Sequence, residues 1–248
     1  ELFGTPGSAN SQVSDYGDPF TNEWSLQFNG VDDYIYVSDD DELDLIDELT
    51  ISAWINPSES GNNIYRTFIS KRDGNAGNYQ LTLTNADGAN QGEFAFWNGG
   101  GGVSSGYIPE VDDWTHVAVT ISDGTNLSMY ANGMAIYSTY INNAIQPNNG
   151  PFIIGDGNYA PENEKFLGYI DEVTIWNESL TDNEVDELQS GGINPNAAGL
   201  VGYWNFNESS GTTLTDQTSN GNDATIVGAT WSDDAPNASS GNDSTFTF

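Results

Sequence analysis

Carboxylates are the side chains of this chain best suited to chemistry, and one of them lies inside an apolar stretch. In LGYIDEVTI, strand alternation places on one face Leu167, Tyr169, Asp171, Val173 and Ile175. A carboxylate among apolar side chains needs a cation or several hydrogen-bond donors. Only 4 Lys and Arg residues are available, so a metal is the readier source of positive charge. Because oxygen ligands without Cys or a His cluster suit calcium, we predict a calcium ion at Asp171. The alternative is a carboxylate that accepts backbone N–H bonds without any metal.

A second group of oxygen-bearing side chains lies in the loop GDGNYAPENE (155–164). Together with the segment RDGNAGN (72–78), this loop is a candidate for a second metal site. The candidate ligands are Asp156, Asn158, Glu162 and Asp73. Their spacing misses the EF-hand pattern, because no Glu occupies position 12 of the loop. An ordinary solvated loop is the simpler interpretation of this segment.

Aromatic side chains beside Gly-rich or Asn-rich loops can stack on sugar rings, whose C–H faces are apolar. The candidate ligand-binding residues are Trp97, Tyr107, Tyr159, Tyr65 and Arg72. Trp97 precedes the Gly99–Gly102 loop, and it suits a core position equally well. Arg72 belongs to a cluster of three cations within seven residues, which either contacts an anionic sugar or forms local salt bridges.

Catalysis is not indicated by the sequence. A retaining glucanase places its carboxylates in an E-x-D-x-x-E arrangement on one strand, about 5 Å apart. No predicted strand carries that spacing, and Asp171 and Glu172 are adjacent, so they point to opposite faces. His116, the only His, has no Ser or Cys nucleophile context. We therefore expect no enzymatic activity.

The composition excludes several other classes of protein. With 37 Asp and Glu against 4 Lys and Arg, the net charge is −33, which opposes nucleic acid and anionic lipid. No apolar window is long enough to insert into a membrane. The absence of Cys rules out disulfides. Acid excess with a loop-rich strand pattern indicates a secreted or cell-surface protein.

Short alternating runs separated by turn residues predict an all-β fold, an antiparallel two-sheet β-sandwich. Asn132-Gly133 predicts a two-residue hairpin turn. The one predicted helix, an accessory near 181–190, has a capping box of Thr181 and Glu184. We expect residues 1–22 and 232–248 to be linkers and residues 24–231 to be a single domain. Its last segment, 199–231, is too short to fold alone and should complete the sandwich.

Four ordered blocks resemble the laminin G-like, concanavalin A-like jelly-roll module of bacterial extracellular proteins: SLQFNGVDDYIYV, LTISAWINP, WTHVAVTISDGTNLSMYANG and FLGYIDEVTIWNESLTDNEV. Residues 199–231 resemble a segment that often accompanies such modules. The resemblance implies a jelly roll that often carries a structural calcium, held by an Asp on a late strand and by backbone carbonyls near the first hairpin. The matching positions here are Asp171 and the Asn29-Gly30 turn.

The resemblance and the composition together predict an extracellular, non-catalytic module that binds a polysaccharide or glycoconjugate glycan. We expect it to be a monomeric module of a larger multidomain protein, to contain calcium and to prefer a neutral or weakly charged glycan. The alternative is a structural or adhesive domain of a large cell-surface protein with no sugar site. A glycoside hydrolase or polysaccharide lyase is less favoured.

Overall fold

The computed structural model describes residues 22–60, 64–73, 76–85, 91–99, 101–158 and 164–236. These residues form sixteen strands, one α-helix (α1, Asp182–Leu188) and a short 3-10 helix (Asp41–Leu43). The strands are β1 Ser25–Asn29, β2 Tyr34–Val37, β3 Leu49–Pro57, β4 Arg66–Asp73, β5 Ala76–Leu83, β6 Phe94–Trp97, β7 Gly102–Ser104, β8 Thr115–Ser122, β9 Asn126–Ala131, β10 Met134–Tyr140, β11 Phe152–Ile154, β12 Leu167–Trp176, β13 Leu200–Trp204, β14 Thr213–Leu214, β15 Ala224–Val227 and β16 Thr230–Ser232.

The strands build two antiparallel sheets. Sheet A has the order β10-β9-β8-β3-β12-β1-β16, with β13 also paired to β12, and sheet B has the order β14-β15-β2-β11-β4-β5-β6-β7. Alternate residues of both sheets point inward and pack as one apolar core, for example Ile51 and Ile55 from β3 with Ile69 and Leu81 from β4 and β5. The predicted all-β, two-sheet jelly roll is confirmed.

Local signals in the sequence explain the β9–β10 hairpin and the helix. Asn132 and Gly133 both have positive φ, 48° and 72°, as a two-residue turn of the type I′ kind requires. Thr181 and Glu184 form the predicted capping box at the start of α1. The apolar side of the helix packs against the outer face of sheet A, beside the fully buried Trp176.

The segment after the helix contributes strands to both sheets. In sheet A, β13 pairs with β12 and β16 pairs with β1. In sheet B, β15 pairs with β2. Since β1 and β16 are neighbours, the beginning and the end of the described chain lie side by side.

A bulge in β12 changes which side chains share a face. The β12–β3 register shifts between Asp171 and Thr174, and Glu172 has a φ of 49°. Val173 and Ile175 therefore point into the core, whereas Asp171 lies opposite Trp54 and points away from it. The expectation that Asp171 shares a face with Val173 and Ile175 is wrong, because the extra residue interrupts the alternation.

Among the described residues, no helix is both long and apolar enough to span a membrane.

Candidate functional site

An aromatic pair lies on the outer face of sheet B. Trp97 ends β6 and is half-buried, and its ring meets Tyr65 edge to face, with centroids 5.9 Å apart and an interplanar angle of 84°. Gly102 lies opposite Trp97 on β7, and a Cβ there would come within 2.4 Å of the indole. Only glycine therefore allows the indole to lie across β7, so the ring is held in a defined, partly exposed position.

A hydrogen-bonded group centred on Gln80, here called the Gln80 network, adjoins the indole. Gln80 pairs with Trp97 in the β5–β6 register. Its Oε1 accepts from Arg72 Nη1 at 3.0 Å, and its Nε2 donates to Glu164 Oε2 at 3.0 Å and to Thr67 Oγ1 at 2.7 Å. Arg72 Nη1 also lies 3.4 Å from Glu164 Oε2. The guanidinium charge is thus balanced by a carboxylate next to the aromatic pair.

All four cationic side chains of the protein, each within the described residues, are ion-paired. The pairs are Arg66 with Glu59, Lys71 with Asp39 and Asp44, Arg72 with Glu164, and Lys165 with Asp156. Lys71 is fully buried and also donates to the backbone carbonyls of Asn148 and Gly150. The cations therefore connect loops of the protein, as the salt-bridge interpretation of the cluster requires.

The other predicted ligand-binding residues are placed differently. The backbone carbonyl of Tyr107 accepts from the amide of Phe94, the first residue of β6, whereas Trp97 is the last. Three strand residues span about 10 Å, so Tyr107 and Trp97 mark opposite ends of β6. Tyr159 lies outside the described residues. The structure thus brings Tyr65 and Trp97 together, with Arg72 linked to them through Gln80.

The predicted second metal loop makes protein contacts at its described positions. Asp156 pairs with Lys165 at 2.5 Å, and Asn158 Nδ2 donates to the backbone carbonyl of Arg72 at 3.3 Å. Asp73 is exposed at the end of β4, and Glu162 lies outside the described residues. Across the part of the chain that is described, no three His, Cys, Asp or Glu side chains converge as a metal site.

A group here called the acidic cluster, formed by the buried Asp171 and Glu172 with the half-buried Glu208 and Asn22, lies on the outer face of sheet A at the β12 bulge. Asp171 has no exposed surface, and its carboxylate accepts from Asn22 Nδ2 at 2.6 Å and from the Glu172 amide at 2.8 Å. Glu172 is 3% exposed and accepts from the Tyr203 hydroxyl at 2.7 Å. Glu208 is close enough to act electrostatically on Asp171.

Three oxygens of the acidic cluster are buried without a hydrogen bond in the described structure: Glu172 Oε1, Glu208 Oε2 and Asn22 Oδ1. Burial raises the pKa of Asp171 well above its usual range, and the neighbouring Glu172 carboxylate raises that pKa further. Burial also raises the pKa of Glu172, from 4.5 to about 8, against the lowering effect of the Tyr203 hydroxyl. Without a cation, the cluster therefore resists carrying its full negative charge at neutral pH.

The Asn29-Gly30 turn is not part of this cluster. In the β1–β12 register Asn29 faces Leu167, four residues before Asp171, a separation of about 13 Å along the strand. The side-chain oxygen of Asn29 instead accepts the Val31 amide at 2.7 Å. The expected pairing of this turn with Asp171 is wrong, because the antiparallel register places the turn at the opposite end of β1.

Asn22 and Glu208 are the cluster residues that sequence reasoning missed. Asn22 belongs to a segment interpreted as a linker, and Glu208 follows β13 in NFNES, inside the block 199–231 that carries part of the family resemblance. The two segments approach each other because β1 and β13 both pair with the same edge of β12, on either side of the bulge.

The acidic cluster and His116 do not have the exposure of catalytic groups. Raised carboxyl pKa values are common in active sites, yet Asp171 and Glu172 are inaccessible to a polymer. His116 is 1% exposed, and burial lowers its pKa to about 3. Its ring packs edge to face against Trp54, with centroids 5.4 Å apart. His116 is therefore a neutral, packed side chain at physiological pH.

The family model Laminin_G_3, described as the concanavalin A-like lectin/glucanases superfamily, matches residues 29–186. The chain belongs to this family. No curated protein matches the sequence significantly.

Solved structures share the fold. A Bacteroides ovatus ATCC 8483 protein to which carbohydrate binding is attributed is 21% identical, with a TM-score of 0.71 over 86% of this chain and 60% of its own. Domain 4 of AbnA, an extracellular arabinanase of Geobacillus stearothermophilus solved with arabinotriose, is 23% identical, with a TM-score of 0.52 over 66% of this chain and 75% of its own. The Ruminococcus gnavus sialidase module CBM40, solved with α2,3-sialyllactose, is 15% identical, with a TM-score of 0.51 over 65% of this chain and 94% of its own. The present chain thus spans less than two thirds of the first of these proteins, and at such identities the similarity shows the fold.

Proposed function

We propose that this protein is an extracellular, non-catalytic module that binds a glycan on the outer face of sheet B. The observation that carries the proposal is the fixed, partly exposed indole of Trp97, held over Gly102 and against Tyr65 beside the Gln80 network. A partly exposed indole suits the apolar C–H face of a sugar ring, and the buried Gln80 network holds the strands beside it in place. The carbohydrate ligands of the arabinanase domain and of the sialidase module support the same class of ligand.

The charge arrangement favours a neutral or weakly charged glycan. Arg72 is balanced by Glu164, and the net charge of −33 repels polyanions at long range. A shallow site of this kind binds with a Kd of about 10 µM to 1 mM, or about −4 to −7 kcal/mol. The glycan belongs to a polysaccharide or glycoconjugate outside the cell, and the module works as a monomer within a larger secreted or surface protein.

The placement of the carboxylates supports a non-catalytic role. Glycosidases need two carboxyl groups that flank an accessible sugar bond. The paired Asp171 and Glu172 are buried under neighbouring segments, and Glu164 is tied to Arg72 and Gln80. Binding without cleavage is therefore the function that this geometry supports best.

A structural calcium at the acidic cluster completes the proposal. The cluster offers buried oxygen acceptors without partners on Glu172, Glu208 and Asn22, next to the buried Asp171, and calcium takes six to eight oxygen ligands. Since no three carboxylates of the described chain converge on a point, amide and backbone oxygens must complete the coordination. The ion supplies positive charge that the four cations, all paired elsewhere, do not supply. It thereby ties the segments around Asn22 and Glu208 to β12.

Calorimetry and affinity electrophoresis with laminarin, arabinan, xylan and galactan, and with alginate and sulfated galactan as anionic polymers, test the glycan proposal. Trp97→Ala should abolish binding of a neutral polymer, and Trp97→Phe should retain part of it. Trp114→Ala is the matched control, because Trp114 is a half-buried Trp directly before β8 of sheet A. Equal binding by wild type and Trp97→Ala, or release of new reducing ends, would contradict the proposal. No binding to any glycan would favour an adhesive or structural domain.

A further inference from the structure

A long segment of this highly acidic chain carries no charge. Residues 124–155 contain no Asp, Glu, Lys, Arg or His, although 17% of the chain is charged. The segment comprises β9, β10 and β11 with the loops between them. Acidic side chains are frequent in the rest of the chain, where they keep the protein soluble. An uncharged stretch that reaches the surface therefore indicates a surface with another role.

Strand β10 brings this uncharged segment to the surface. It is a terminal strand of sheet A, paired only with β9 along the described sheet. Three of its large side chains are exposed: Met134 (69%), Tyr137 (39%) and Tyr140 (79%). Tyr140 pairs with Asn126 and lies on the outer face of the sheet, whereas Tyr137 pairs with the core residue Met129 and lies on the other face. The exposed ring of Tyr140 is therefore the aromatic group that this strand offers to a ligand on the outer face.

A shallow groove of about 220 Å³ lies across β9 and β10. It is lined by Asn126, Leu127, Ser128, Ser138, Thr139 and Tyr140. Tyr140 faces Asn126 across the strand pair, and two residues along, on the same face, Ser128 and Ser138 hold their hydroxyl oxygens 3.0 Å apart at the surface. The groove therefore combines an exposed phenol ring with a row of hydroxyl and amide groups, and its lining contains no charged side chain.

We propose that this β9–β10 groove is a second binding site, for a neutral glycan chain. The Tyr140 ring offers a stacking face to the C–H groups of a sugar ring, and the Ser128 and Ser138 hydroxyls offer hydrogen bonds to its edge. No charged side chain of the lining has to be desolvated when the sugar binds. The charge of −33 on every copy of the chain opposes pairing of two β10 edges, so a neutral ligand suits this edge better than a second copy.

The second site and the Trp97 surface lie on the outer faces of opposite sheets, and one contact links the strand ends beside them. The side chain of Asn98, the residue after Trp97, donates a hydrogen bond to the backbone carbonyl of Asn143, three residues after Tyr140. The β6–β7 edge of sheet B and the β10 edge of sheet A therefore meet on one side of the sandwich.

Amide NMR of the isotopically labelled chain, titrated with neutral hexasaccharides of glucose, xylose, arabinose and mannose, tests the proposal. We expect shifts at Asn126, Ser128 and Ser138 in wild type, and the same shifts in Trp97→Ala. Tyr140→Ala should weaken binding at these positions by about tenfold, equivalent to about 1.4 kcal/mol. Met134→Ala is the matched control, because Met134 is exposed on the same strand outside the groove.

Three outcomes would overturn the second site. The first is a response around Trp97 in wild type with no shift at the groove, which leaves the proposed function intact. The second is loss of the groove shifts in Trp97→Ala, which would show that the groove only reports on the Trp97 site. The third is concentration-dependent dimerisation by light scattering that Tyr140→Ala removes, which would make β10 a protein interface. Melting curves of each variant establish that it folds.

Discussion

Removal of calcium should lower the stability of the folded protein, and the size of this loss should depend on the raised pKa of Glu172 in the acidic cluster. The pKa of Glu172 is raised from 4.5 to about 8, so the metal-free chain must take up a proton there when it folds at pH 7. At about 1.36 kcal/mol per pH unit, this uptake costs about 3 kcal/mol. A bound calcium makes the ionised carboxylate acceptable and relieves that cost. For a chain of this size, the melting temperature should rise by about 6 to 12 °C in calcium.

The pH dependence has a defined sign. Between about pH 4.5 and about pH 8, the folded metal-free protein binds more protons at Glu172 than the unfolded chain does. The contribution of proton binding at Glu172 to the stability of the metal-free protein is therefore fully present below pH 4.5 and is lost as the pH rises through 8. With saturating calcium, Glu172 is ionised in both states, so this contribution to the pH dependence should disappear.

Differential scanning calorimetry at pH 5, 7 and 8, in calcium and in excess chelator, measures both effects. Glu172→Gln removes the titrating proton, so the metal-free variant should be more stable than metal-free wild type at pH 8 and less responsive to calcium. Asp171→Ala should lose the calcium response as well. Glu178→Gln, which changes an exposed carboxylate, is the control. Superimposable wild-type curves in calcium and chelator at every pH would refute the reasoning.

Two further predictions concern the scaffold. Lys71→Met removes the buried ammonium group that lies 2.7 and 3.0 Å from Asp39 and Asp44, and it should lower the free energy of unfolding in urea by about 1–3 kcal/mol, since both carboxylates keep some contact with solvent. Lys165→Met, which removes a partly exposed cation, should cost clearly less, and equal losses would contradict the difference in burial. Removal of residues 199–236 should expose the β1 and β2 edges and cause aggregation, whereas a monodisperse and stable truncated chain would show that this segment is not part of the folding unit.

Structural features that depend only on a few neighbouring residues of the chain were predictable from the sequence. The Asn132-Gly133 turn and the Thr181–Glu184 capping box follow from local backbone chemistry, and both are present. The bulge at Glu172 was not predictable, because no Gly or Pro marks it. It arises where β12 exchanges one neighbour, β1, for another, β13, which is a property of the assembled sheet.

The candidate sites show the same distinction between local and long-range information. A Gly-rich loop beside Trp97 was visible in the sequence, and the glycine beneath the indole belongs to that loop. Asn22 and Asp171, by contrast, are 149 positions apart, and their hydrogen bond depends on the path of the whole chain. The pairing of Arg72 with Glu164, 92 positions away, is equally non-local. The sequence alone therefore could not decide whether Arg72 contacts an anionic sugar or forms a salt bridge.

The distribution of cations links the calcium proposal to the choice of glycan. Each of the four cationic side chains is paired with a carboxylate in the described structure, which leaves none for Asp171 or for a bound anion. Positive charge at the acidic cluster must then come from solvent, as a proton or as a metal ion. A polyanionic ligand would need the same external cations at the Trp97 surface and at the β9–β10 groove, whereas a neutral sugar needs none. Calcium should therefore change the stability of the fold much more than its affinity for a neutral glycan, provided that the fold remains intact during the binding measurement.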